Sequence, residues 1–166
     1  MISPRVSKLK KRLDRLAAKA MDRPLASDPR ARAVFDAALA NFVKGGDTLL
    51  DKATKYLWQY YRATIAEFDD AQVDEYEIPR LARDVDIWKH VTLRRPPEFQ
   101  VGRTSKYEPG ISYFSFEGEV SWEPEHGLQL VFEHGRRVCK VGPYDGHVTN
   151  AHASGKLSLL RVVFRH

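Results

Sequence analysis

Apolar positions in the first half of the chain recur every three to four residues, and in the second half every two. Val6, Leu9, Leu13, Leu16 and Ala20 form one helical stripe. Asp28-Pro29 reads as an N-cap followed by proline at the first helical position. Val34, Phe35, Ala38, Leu39 and Phe42 make the next helical face, which Gly45-Gly46 is expected to stop. Asp47 can cap a further helix whose Leu50, Ala53, Leu57, Tyr61, Ile65 and Phe68 share a face, widened by Trp58 and Tyr60. The acidic stretch beyond it and Pro79 break the period and read as a connector. Asp86 then precedes a short turn or helix at Ile87-Trp88-Lys89-His90-Val91.

From about residue 88 the pattern is that of strands. Phe114, Phe116, Val120 and Trp122 alternate with Tyr113, Ser115, Glu117, Glu119 and Ser121. Leu128, Leu130 and Phe132 alternate with Gln129 and Glu133, which predicts a hairpin partner across a 123–127 loop. His134-Gly135 marks a tight turn, because glycine tolerates the positive φ such turns require. Residues 136–141 return as a third strand, and residues 157–164 are expected to supply a last one. The predicted fold class is α+β, with N-terminal helices packed on a C-terminal antiparallel β-meander whose sequential strands pair. Three segments follow: a basic amphipathic helix (1–24), a helical region with its acidic connector (25–86) and an antiparallel β domain (87–166).

Charge changes this picture at one end only. The net charge is +5, yet residues 1–23 carry eight basic side chains against Asp14 and Asp22, so the remainder is slightly acidic. A basic amphipathic helix can meet phosphates, anionic lipids or an acidic protein surface, making nucleic acid or another anionic surface a candidate partner of residues 1–23. The chain also offers its own counterpart, because Glu67, Asp69, Asp70, Asp74, Glu75 and Glu77 run without a basic residue among them. Arg94, Arg95, Arg103 and Lys106 near Phe99 and Tyr107 form only a diffuse basic and aromatic set. A single Cys139 excludes an internal disulfide and a cysteine-based zinc cluster, and its mid-strand position argues against a nucleophile. No apolar run approaches the roughly 18 residues of a transmembrane span. The basic N-terminus is not followed by an apolar secretory core, so a cytoplasmic location is expected.

Candidate chemistry is concentrated in two turn-forming clusters. These are Trp122-Glu123-Pro124-Glu125-His126-Gly127-Leu128 and Val141-Gly142-Pro143-Tyr144-Asp145-Gly146-His147-Val148-Thr149-Asn150. Each carries a carboxylate and an imidazole, and the strands between them run out and back, so the clusters can approach one another. Glu125, His126, Asp145 and His147 offer the donor types of a zinc, manganese or iron site. The spacing matches no helix-borne metal signature, and the chain has no nucleophile elbow, P-loop or dinucleotide fingerprint. The same sequences are good turns in their own right, with Asp145 able to accept from the backbone two residues on. Tyr144 reads as core in preference to a surface anchor.

Residues 87–153 resemble an uncharacterised bacterial domain family with the pattern W-x-P-E-H-G-L-Q-L-V-F, a turn, then V-G-P-Y-D-G-H-V-T-N. Residues 122–132 and 141–150 carry the match here. The resemblance implies no catalytic set, and similar small domains suggest an immunity- or antitoxin-like binder. Glu133-His134-Gly135 departs from the plainer Lys/Asp-Gly turn of the pattern, which argues against a special role for His134. The expected function is therefore non-enzymatic protein binding, without a cofactor. The binding residues would be Glu123, Glu125, His126, Tyr144, Asp145, His147, Thr149 and Asn150. The alternative is a metal-dependent enzyme holding a divalent ion at Glu125, His126, Asp145 and His147.

Overall fold

The computed structural model describes residues 29–93, 95, 97–101 and 110–165. The basic stripe expected over residues 1–24, the Asp28 cap, and Arg94, Arg103, Lys106 and Tyr107 lie outside the described residues.

A helical run, α1 (Pro29–Ile65), lies across one face of an antiparallel sheet. It is two arms in practice: Gly46 adopts φ 49°, ψ −136°, a non-helical conformation, where the Gly45-Gly46 pair predicts a stop. The first arm buries Phe35, Ala38 and Phe42, and the second buries Leu50, Ala53, Leu57, Tyr60 and Tyr61. The sheet contains β1 (Val91–Leu93), β2 (Glu98–Val101), β3 (Ser112–Val120), β4 (Glu123–Glu133) and β5 (Arg137–Gly142). Strands β2 to β5 pair sequentially as the expected meander, and β1 lies beside the far end of β3, with Val91 opposite Val120. Phe114, Phe116, Trp122, Leu128, Leu130 and Phe132 face α1 and form one core with it. Phe42 is the keystone, with ring centroids 5.1 Å from Phe132, 5.8 Å from Phe116 and 6.3 Å from Phe114. Burying such a ring contributes roughly 1.5–3 kcal/mol.

The hairpin turn at His134-Gly135 abuts the first arm. Asn41 Nδ2 donates to the His134 carbonyl at 3.1 Å, and a Cβ on Gly135 would stand 2.0 Å from the Ala38 carbonyl oxygen. Only glycine fits that approach.

Four sequence expectations need correction. The acidic connector contains a helix, α2 (Asp70–Glu75), opened by a capping box in which Asp69 accepts from Gln72 N and Gln72 accepts from Asp69 N. Its charge is offset from outside the acidic run, where Arg80 pairs with Asp74 and with Asp70. The predicted 123–127 loop is not the hairpin connection, because the turn is at Ser121-Trp122 and residues 123–127 belong to β4. Glu123 pairs with Val120 and Leu128 with Gly118, so residues 124–127 bulge opposite Glu119 alone. Residues 157–164 form no strand. They begin in a 3-10 turn, Leu157–Leu159, after a short helix, α3 (Asn150–Ser154). Paired apolar residues at Leu159-Leu160 and Val162-Val163 give no alternation, and Asn150 Nδ2 takes the Val162 carbonyl at 2.8 Å. Tyr144, finally, is 40% exposed and not core.

The face of the sheet remote from α1 is also covered at one end. Val148 packs there on Tyr113, Val131 and Cys139, which hides a polar layer of Ser115, Gln129 and Lys140. No helix among the described residues is long and apolar enough to cross a membrane.

Candidate functional site

The β3–β4 turn and its bulge form one wall of a cleft of about 540 Å³. The opposite wall is the end of α1 (Tyr60 and Thr64) and the turn that follows it (Glu67 and Phe68), with Tyr76 and Ile78 beyond α2, and Phe164 and Arg165 close one side. The second wall is held by hydrogen bonds to Tyr61, whose hydroxyl donates to Pro79 O at 2.9 Å and accepts from Leu81 N at 2.7 Å. The end of α2 is a Schellman turn: Ile78 N donates to Val73 O at 2.9 Å and Glu77 N to Asp74 O at 3.2 Å. Glu77 takes the left-handed position, φ 51°, which glycine usually fills.

Glu123 is the organising carboxylate. Its Oε2 accepts from Tyr60 Oη at 3.0 Å and from His126 N at 3.0 Å, while His126 Nδ1 donates to Oε1 at 3.2 Å. The Tyr60 hydroxyl also reaches Gly127 O at 2.8 Å, so its one proton lies between two acceptors. Burial first, and the Glu123 charge second, push the Tyr60 hydroxyl pKa far above the usual tyrosine range. Gly127 permits this arrangement, since its φ is 63° and a Cβ there would approach Gly118 O to 2.6 Å. Glu125 and His126 are exposed at the rim, and donor atoms of Glu123, Glu125 and His126 lie within 4.8 Å of one another. Trp122 is fully buried in the wall, edge-on to Tyr60 and Tyr61, and its Nε1 has no hydrogen-bond acceptor among the described residues.

The second predicted cluster touches the first through the backbone, where Tyr144 N donates to His126 O at 3.2 Å. Its side chains are engaged elsewhere. Asp145 pairs with Lys140 and accepts from His147 N at 2.8 Å, the Asx turn its sequence suggests. Lys140, with a side chain only 3% exposed, also donates to His147 O at 2.9 Å. Burial lowers its pKa, against the opposing pull of Asp145. The His147 ring packs on His152 at 4.9 Å. Thr149 Oγ1 caps α3 by accepting from His152 N at 3.1 Å, and Asn150 fastens the carbonyls of Val162 and Val163. Burial raises the Tyr144 hydroxyl pKa, helped by the charges of Glu98 and Glu117. The grouping that forms is thus Glu123, Glu125 and His126, without Asp145 or His147.

These walls have a family context. A family described as a domain of unknown function, DUF6985, matches residues 20–148. The chain belongs to this family. No curated protein and no solved structure matches it. The DUF6985 match contains the α1, α2 and bulge walls of the cleft together with Pro143, whereas Phe164 and Arg165 lie beyond it.

Sequence reasoning missed Tyr60, Glu67, Phe68, Tyr76, Phe164 and Arg165 as site residues. A signal existed for Tyr60 and Phe68, which stand with Thr64 at steps of four along the sequence. None existed for Phe164 or Arg165, whose position depends on the Asn150 fastening.

Proposed function

We propose that this DUF6985 domain is a non-enzymatic protein-binding module whose recognition surface is the cleft between the end of α1 and the β4 bulge. The observation that supports it is a preformed recess with apolar walls and a polar rim, lined on one wall by 58%-exposed Tyr76 and on the other by Glu125 and His126. Such a recess suits an anchor side chain from a partner, since large, partly exposed aromatics contribute strongly to interfaces. An immunity-like role is one form this binding takes.

The second reading is a divalent metal site, favoured by the closeness of Glu123, Glu125 and His126. With Nδ1 of His126 facing Glu123, its Nε2 would be the ligand, and the two carboxylates would supply the oxygen donors.

One experiment separates them. Partners captured from the native cell by the wild-type chain are compared with those captured by Tyr76→Ala/Glu125→Lys, with and without a chelator. We expect at least about a tenfold loss of specific capture in the variant, no chelator effect, and unchanged thermal melting, because both side chains are exposed. Capture abolished by chelator favours the metal reading. Identical capture by both proteins overturns the assignment of the cleft.

A further inference from the structure

Resting on the binding reading above, we propose that the cleft receives a basic segment of a partner protein, with an arginine side chain seated between its aromatic walls and its guanidinium against Glu123 and Glu125. Three observations carry this inference. Aromatic rings line the walls in close array: Phe68 and Tyr76 are edge-to-face at 5.8 Å, and Tyr60 and Phe164 lie 6.0 Å apart. Aromatic faces attract a desolvated cation, and they also pack the long alkyl stem that carries it.

The rim is acidic. Among the described residues, Glu67, Glu123 and Glu125 line the cleft against a single Arg165. Glu125 makes no hydrogen bond or ion pair to another described residue. Glu123 is held by the Tyr60 hydroxyl, the His126 backbone and the His126 ring, so its carboxylate is oriented before any ligand arrives. An oriented carboxylate is the acceptor that a planar guanidinium recognises best. A neutral or anionic occupant would desolvate Glu123 without supplying a counter-charge, which is strongly unfavourable.

The approach is acidic too. Six carboxylates lie between residues 67 and 77, and Arg80 pairs with two of them, Asp70 and Asp74. The field so produced raises the rate at which a basic segment arrives, and salt screens it.

The test uses the full chain and a fluorescent peptide rich in arginine, its citrulline counterpart, which is neutral and nearly isosteric, and its glutamate counterpart. Anisotropy should show binding of the arginine peptide, with the citrulline form weaker by at least about tenfold and the glutamate form not bound. Raising salt to physiological strength should weaken the arginine complex, and Glu125→Gln should weaken it by about tenfold while melting as the wild type. Equal affinity for arginine and citrulline peptides overturns the cationic assignment and leaves the binding module standing. Absence of binding by every peptide, with capture from cells insensitive to the cleft variant, removes both readings. If replacing the basic residues of 1–23 by glutamine raises affinity for the arginine peptide through relief of competition, the cleft belongs to the chain's own basic segment and the partner assignment falls.

Discussion

The Tyr60 hydroxyl ties the helical layer to the site, since it bridges α1, the Glu123 carboxylate and the Gly127 carbonyl. Tyr60→Phe should cost about 1–2 kcal/mol at neutral pH, the value of a buried hydrogen bond. Its pH dependence has a definite sign. The folded pKa is raised above the ordinary 10.0, so the contribution is complete below pH 10 and falls as pH rises through and beyond that value. There the unfolded tyrosine ionises and the folded one does not. Urea unfolding of both proteins should therefore show their stabilities converging between pH 9 and about 11. A gap that widens with pH would contradict the assigned environment. At this scale the sequence was partly legible: Tyr60 was expected on the core face, and it is 4% exposed. Its two acceptors come from a strand more than 60 residues away, and no local pattern announces them.

Among the elements, α2 shows why a real helix can be silent in sequence. Its start carries the Asp69 and Gln72 capping box, but its end lacks glycine, and the acidic run suggests a solvated connector. The helix persists because Val73 and Ile78 are buried together at its Schellman turn, 4% and 6% exposed. Glu77 therefore tolerates a left-handed φ. Glu77→Gly should stabilise the protein by about 0.5–1 kcal/mol, the relief of that conformation less the added freedom of the unfolded glycine. Thermal melting reads the change directly, and a drop in melting temperature would show that the Glu77 side chain does more than turn the chain. The β4 bulge teaches the converse. Residues 123–127 read as the hairpin loop, yet they open β4 as a bulge and the chain reverses at Ser121-Trp122, with Trp122 buried in the core.

Over the molecule, both arms of α1 and the sheet share one core cluster. The described layers should consequently unfold together. Phe42→Ala, which removes three inter-ring contacts, should lower stability by about 3–5 kcal/mol. Helical and aromatic circular-dichroism signals should still move in a single transition. Two separated transitions would mean that helix and sheet hold together independently. Charge is segregated on the same scale. The excess positive charge sits in residues 1–23, and the cleft lies beside the acidic run, so the net +5 is a poor guide to what this surface attracts.

The sequence by itself determined the α+β class, the break at Gly46, the β3–β4–β5 order and the core faces of β3 and β4. These are set by short periodicities and turn chemistry that each segment carries within itself. Only the tertiary structure decided which polar side chains form a site. Lys140, from the middle of β5, takes Asp145 into an internal ion pair, and Asn150 draws residues 162 and 163 onto the sheet edge. Tyr60, Trp122 and Phe164 reach the same recess from a helix, a turn and the irregular chain near residue 164. Those outcomes rest on desolvation and on competition among donors for distant acceptors, which depend on the three-dimensional arrangement and leave no period in the chain.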